Sequence, residues 1–274
     1  MKKTLTFILS FIVFIQLVNA QFDDRFYFPS KEYSVDQNPM HEDILYEIDT
    51  VKIHSLWLKQ KNETKFTVLF FMGASGNASN YLPLANLLLS TGAQIFIFEP
   101  RGYGLSTGTP SHLNIASDAQ FVLDNLIKLK EVQNTKIIVY GASLGSQIAS
   151  HIIKNNQDII SALIIDGGMS SFTDIALEKT PEERKSIVKK FVTSPYSSKE
   201  DLEKIKDIPK LIIHGTEDET IPFSHAEINY NNAKEPKELW SYQGGHLQVA
   251  RIDREAYIQK IVGVFYSIKK IQRS

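Results

Sequence analysis

Serine, carboxylate and imidazole occur in that order along this chain, each just beyond an apolar run. Together they could pass a proton from one to the next. The serine is Ser143, in Gly141-Ala142-Ser143-Leu144-Gly145. A β-branched stretch, Lys136-Ile137-Ile138-Val139-Tyr140, precedes it, and an amphipathic stretch from Ser146 to Asn155 follows. A GxSxG turn between strand and helix forces its serine into a strained, exposed position at a helix N-terminus. The pattern occurs a second time, as Gly104-Leu105-Ser106-Thr107-Gly108. That copy follows Arg101-Gly102-Tyr103, runs into Thr109-Pro110 and has no helix directly after it, so it reads as a loop. Ser143 is therefore the candidate nucleophile and Ser106 is not.

A serine hydroxyl is a poor nucleophile until a base takes its proton, and the base needs a carboxylate to fix its tautomer. Asp218 lies just past the apolar run Leu211-Ile212-Ile213, in His214-Gly215-Thr216-Glu217-Asp218-Glu219-Thr220-Ile221-Pro222. An acid in such a place is commonly a helix cap or a solvated turn residue, and Asp166, after the preceding strand, is the reserve. Among seven histidines, only His246 combines a strand end with a glycine-rich approach, Gln243-Gly244-Gly245-His246. The oxyanion of a tetrahedral intermediate needs donors worth about 10²–10³ in rate each. The backbone amide of Leu144 supplies one. Ala74 is assigned as the other, in Met72-Gly73-Ala74-Ser75-Gly76-Asn77. A phosphate-cradling reading of that loop fails because it lacks a lysine and the P-loop spacing. No set of ligands has metal-binding spacing, and the chemistry requires no cofactor.

The elements that must position these groups are legible as alternating patterns. Residues 21–40 are polar, aromatic and aperiodic, and read as a leader laid over the surface of a domain spanning 41–274. Ile44 to Leu58 reads as two short strands forming an antiparallel edge. Then continuous apolar runs alternate with helical periodicity: Thr67–Met72, Gln94–Phe98, Lys136–Tyr140, Ile159–Ile165, Lys210–Ile213 and Lys237–Tyr242 are the strands. Strands apolar throughout are buried on both faces, which predicts a mostly parallel, eight-stranded α/β sheet with helices on each side. Ligands collect at the carboxyl ends of such strands, where every candidate residue falls. About residues 168–209 form an insertion too long for a simple crossover. Thr180-Pro181-Glu182-Glu183 opens a helix there, so the insertion reads as a small helical cap.

Composition narrows the partners. The formal net charge of −1 over 274 residues shows no basic stripe, which argues against nucleic acid. Lys2-Lys3, an apolar run from Leu5 to Val18 and the ending Val18-Asn19-Ala20 predict a secretory signal peptide over 1–20. The run is shorter than the roughly 20 residues of a membrane span. Cleavage after Ala20 would remove two lysines and no acid, taking the net charge to −3, and would leave an exported protein with no stable membrane span. With no cysteine the chain has neither disulfides nor thiol chemistry.

These motifs together resemble the serine-hydrolase branch of the α/β-hydrolase superfamily. The similar group carries HGxxGN, RGYGxSxGxPS, GxSxG, HGxxDxxVP and GGH in order, over about residues 50–265 here. Ser106 belongs to the second of these motifs, Arg101 to Ser111. The histidine that usually opens the first motif is Met72 in this chain. The resemblance implies an α/β-hydrolase fold and acyl transfer to water, with esterase, depalmitoylase and serine aminopeptidase-like relatives. The expectation is a serine hydrolase of carboxylic esters or thioesters, acting on a small-molecule or acyl-ester substrate. Apolar Met72, Met169, Phe172 and Phe223 are expected to face a hydrophobic acyl group. A serine aminopeptidase or amidase would need an anionic group at the site for a substrate ammonium, and a non-catalytic binding module would usually lack one of the three side chains. Oligomeric state is not read from the sequence.

Overall fold

A computed structural model describes residues 20–35 and 40–271. Apart from Ala20, the segment read as a signal peptide lies outside the described residues. Eight strands form the main sheet: β1 (His41–Ile48), β2 (Val51–Leu58), β3 (Phe66–Phe71), β4 (Gln94–Glu99), β5 (Lys136–Ala142), β6 (Ile160–Asp166), β7 (Lys210–Gly215) and β8 (Lys237–Tyr242). Their spatial order is β8-β7-β6-β5-β3-β4-β2-β1. Only β2 runs against its neighbours, pairing antiparallel with both β1 and β4. The alternating apolar pattern of 51–58 and the continuous runs after it thus become the antiparallel edge and the parallel body of one sheet.

The burial of each strand follows its sequence. Every residue of β3, β4 and β7 is buried, whereas β1 and β8, at the two edges, alternate between half-buried and exposed. Helices α1 (Leu82–Leu89) and α8 (Arg254–Ile271) pack together on one face. On the other, α2 (His112–Leu126), α3 (Gly145–Asn155), α6 (Ser198–Leu202) and α7 (Ser224–Asn232) contact one another in turn. Between β6 and α6 stand α4 (Phe172–Glu178) and α5 (Lys185–Phe191). The chain steps from β3 to β4 in one direction and then returns to place β5 on the other side of β3. Right-handed crossovers in opposite directions put their helices on opposite faces and open a crevice where the order reverses. The loops after β3 and β5, which carry Ala74 and Ser143, border that crevice.

Residues 20–35 are more firmly held than their aperiodic composition conveys. Ala20–Phe26 is a 3₁₀ helix, and Phe28–Pro29 forms a short parallel pair with Ser75–Gly76 of the loop after β3. Tyr27 is buried, and its hydroxyl lies 2.7 Å from Nδ1 of His112. The Asp23 carboxylate accepts the His112 amide at the start of α2.

Candidate active site

Ser143 sits at the turn between β5 and α3 with φ +52°, a left-handed conformation that is strained for any residue with a side chain. The turn persists because its surroundings over-determine it. The Ser143 amide donates to the Asp166 carbonyl at 2.8 Å, and the Ser146 amide closes back on the Ser143 carbonyl at 3.0 Å. Both glycines of the motif are required by close approach. A Cβ on Gly141 would lie 2.7 Å from the Ser146 Cα, and one on Gly145 would strike the Phe71 and Met72 carbonyls. The strain lifts the Ser143 side chain out of the sheet toward the carboxyl ends of the strands.

The three side chains singled out in the sequence form one hydrogen-bonded line. His246 Nε2 is 2.9 Å from Ser143 Oγ, and His246 Nδ1 is 2.6 Å from Asp218 Oδ2. The other oxygen of Asp218 accepts the amides of Thr220 and Ile221, each at 2.9 Å. Burial alone would raise the Asp218 pKa. The hydrogen bonds from His246 and the Ile221 amide outweigh it and hold the carboxyl below its usual range. An ionised carboxylate on Nδ1 makes that nitrogen the donor, so Nε2 of a neutral ring faces the serine as an acceptor. His214 supports the acid loop from beneath, its Nε2 donating to the Ile221 carbonyl at 2.8 Å. Burial pushes its pKa down, which keeps the imidazole neutral.

The reserve acid, Asp166, does not join this line. It is buried at the end of β6 and accepts a hydrogen bond from Tyr140 at 2.7 Å, and among the described residues its other oxygen has no hydrogen-bond partner. Desolvation pushes its carboxyl up to about 6. Ser106 does not join the line either. It is fully buried, its hydroxyl donates to the Glu99 carbonyl at 2.7 Å and accepts the His54 amide at 2.8 Å. It pins the loop after β4 to β2 instead.

Ala74 and Leu144 line the same cavity as Ser143. Among the described residues neither backbone amide is committed to another hydrogen bond. With Met72 buried in place of a histidine, other groups brace the Ala74 loop. The Tyr81 hydroxyl accepts the Gly73 amide at 2.9 Å, and the Tyr103 hydroxyl donates to the Ala74 carbonyl at 2.5 Å. The Phe28 amide donates to that same carbonyl at 2.8 Å. The side-chain amide of Asn77 reaches the Ser30 and Glu32 carbonyls. Sequence reading missed these supports, because a tyrosine or asparagine in a loop carries no spacing signal and the leader has no periodicity.

The cavity has a volume of about 590 Å³, within the usual size of a small-molecule site. Of the four apolar residues expected to face it, only Met169 does. Met72 and Phe172 are buried, with Phe172 stacked on His112, and Phe223 packs edge-on against His214. The apolar wall comes instead from the leader (Phe22, Phe26, Phe28) and from α5 (Ile187, Phe191). Among the described residues no cluster of His, Cys, Asp and Glu could hold a metal ion, and no helix is long and apolar enough to cross a membrane.

Comparison with known proteins agrees with this architecture. Residues 67–204 match the family model for the alpha/beta hydrolase fold. The chain is 36% identical over 177 residues to protein bem46 of Schizosaccharomyces pombe, covering 64% of this chain and 59% of that protein. It is 31% identical to the alpha/beta hydrolase domain-containing protein WAV2 of Arabidopsis thaliana, over 74% of this chain and 71% of that one. Among solved structures, the Pyrococcus furiosus esterase Pf2001 superposes with a TM-score of 0.70 at 19% identity, over 88% of this chain and 98% of its own. That likeness concerns the fold. The chain belongs to the α/β-hydrolase family.

Proposed function

We propose that the protein is a serine hydrolase that cleaves carboxylic ester or thioester bonds through an acyl-serine intermediate. The observation that carries this reading is the continuous line from Ser143 Oγ through His246 to Asp218, bordering a cavity that Ala74 and Leu144 also line. Ser143 Oγ attacks the carbonyl carbon as His246 Nε2 takes the hydroxyl proton, and the charge on the carbonyl oxygen is met by the Ala74 and Leu144 amides. Collapse breaks the bond to the leaving oxygen or sulfur, which receives the proton from Nε2. Water then repeats the sequence on the acyl-serine, releasing the acid and restoring the hydroxyl. Asp218 holds the ring and stabilises the imidazolium without taking the proton.

The aminopeptidase alternative is disfavoured by the lining of the cavity. Among the described residues it includes no carboxylate to meet a substrate ammonium. A binding module is disfavoured by the completeness of the line. A panel of octanoyl esters, octanoyl thioesters and aminoacyl amides separates these readings. Ester or thioester turnover should exceed amide turnover by about a hundredfold or more, a gap of roughly 3 kcal/mol in barrier. Amide turnover in excess of ester turnover would reverse the assignment. Export is part of the proposal, resting on the basic start and apolar run of residues 2–18. The intact mass of protein recovered outside the cytoplasm should correspond to a chain beginning at Gln21, and recovery of only the full-length chain would contradict it.

A further inference from the structure

The cavity bordering Ser143 is apolar over most of its lining, yet three cations border it: Arg25 from the leader, Lys179 from the end of α4 and Arg184 ahead of α5. Among the described residues no carboxylate lines it, although the chain as a whole carries a slight negative charge. Two of the acids beside them are paired with other groups. Glu178 pairs with His225 at 2.8 Å, and Glu182 pairs with Lys185 at 2.7 Å. The cations are also placed. The Arg25 guanidinium lies 4.9 Å over the Phe22 ring, which itself packs 5.8 Å from Phe191 of α5. Lys179 donates to the Glu219 carbonyl beside the acid loop.

We propose that the substrate is an acyl ester or thioester bearing a fixed anionic group, a carboxylate or a phosphate. Its apolar chain lies between the leader and α5, and its charge is met by Arg25, Lys179 and Arg184. This rests on the ester-hydrolase reading of Ser143. An apolar wall alone would accept neutral and charged esters according to length. A one-signed rim adds discrimination, because a like-charged substrate is repelled and a neutral one gains nothing from it. Arginine suits the role, since its planar fork engages carboxylate and phosphate oxygens in pairs. The leader thus contributes to specificity from outside the matched family region, which begins at residue 67. A basic, partly apolar rim could also rest on an anionic lipid surface. The position of these cations on the cavity, rather than on a separate outer face, favours a substrate group.

The test uses two pairs of soluble esters: octanoyl glycerol 3-phosphate against octanoyl glycerol, and nitrophenyl hydrogen suberate against nitrophenyl octanoate. The first pair carries the anion on the alcohol side, the second on the acyl side. The anionic member of at least one pair should show kcat/KM about tenfold higher at low salt. That preference should shrink with added salt, as screening of exposed charges requires. In Arg25→Gln/Arg184→Gln, with Lys179 left in place, the ratio of anionic to neutral kcat/KM should fall severalfold, and Arg25→Lys/Arg184→Lys should restore much of it. Equal or inverse preference in both pairs overturns the inference, as does an unchanged ratio in the glutamine variant. So does stimulation of neutral-ester turnover by phosphatidylglycerol vesicles with no preference among the soluble esters, which would assign the rim to a membrane. If the neutral esters are turned over, only this inference falls; if no ester is hydrolysed, the ester-hydrolase reading falls with it.

Discussion

At the scale of single residues, identical letters acquire different roles from their surroundings. Ser143 and Ser106 both stand in GxSxG, but one is lifted into a left-handed turn beside an imidazole and the other is sealed between β2 and β4. The carboxylates Asp218 and Asp166 diverge in the same way. Asp218 receives one imidazole and two amides, which keep it ionised. Asp166 has one tyrosine hydroxyl and, among the described residues, an oxygen without a hydrogen-bond partner, so burial dominates and its pKa rises to about 6. A carboxyl whose folded pKa lies above its unfolded value binds its proton more tightly in the native state. Its contribution to stability is complete below about 3.8 and is lost as pH rises through about 6. Asp166→Asn keeps an acceptor for Tyr140 and removes the ionisation. Its stability relative to the parent should therefore improve by about 2 kcal/mol between pH 4 and pH 8. Denaturant melts of both proteins at the two pH values check this, and a difference independent of pH would contradict it.

At the scale of elements, the loop after β3 and the leader act as one unit. The leader donates from Phe28 to the Ala74 carbonyl, and Asn77 holds the Ser30 and Glu32 carbonyls while its side-chain oxygen caps the turn that follows. The leader also reaches the loop after β4, where Lys31 donates to the Gly104 and Ser106 carbonyls. Asn77→Ala would remove the cap and both links to the leader at a fully buried position. The expected cost is about 2 kcal/mol of stability. Because the loop that carries the Ala74 amide loses one of its supports, kcat/KM should also fall about tenfold. Limited proteolysis should then cut within residues 20–35 earlier than in the parent. Unchanged proteolysis with unchanged kcat/KM would show that the leader and the loop are independent.

At the scale of the whole molecule, the sheet does the assembling. Residues 74, 143, 218 and 246 are scattered over more than half of the chain, and each follows a strand that ends on the same rim. This much was legible beforehand, because uniformly apolar strands such as Phe66–Phe71 and Lys210–Gly215 are required by burial on both faces, and chemistry gathers at their carboxyl ends. The composition of the cavity was not legible. Phe172 and Phe223 satisfy their hydrophobicity against histidine rings, while Phe22 and Phe26 reach the site from a segment with no periodicity. Nor could spacing reveal that Tyr81 and Tyr103 brace the loop headed by Met72.

The central claim is that Ser143 is activated by His246, and reaction with a fluorophosphonate followed by peptide mass spectrometry tests it most directly. The account requires a single adduct on the peptide containing Ser143, with labelling slowed by about 10⁴-fold or more in a folded His246→Ala variant. An adduct on Ser106, or labelling of Ser143 at the same rate without the imidazole, would contradict it.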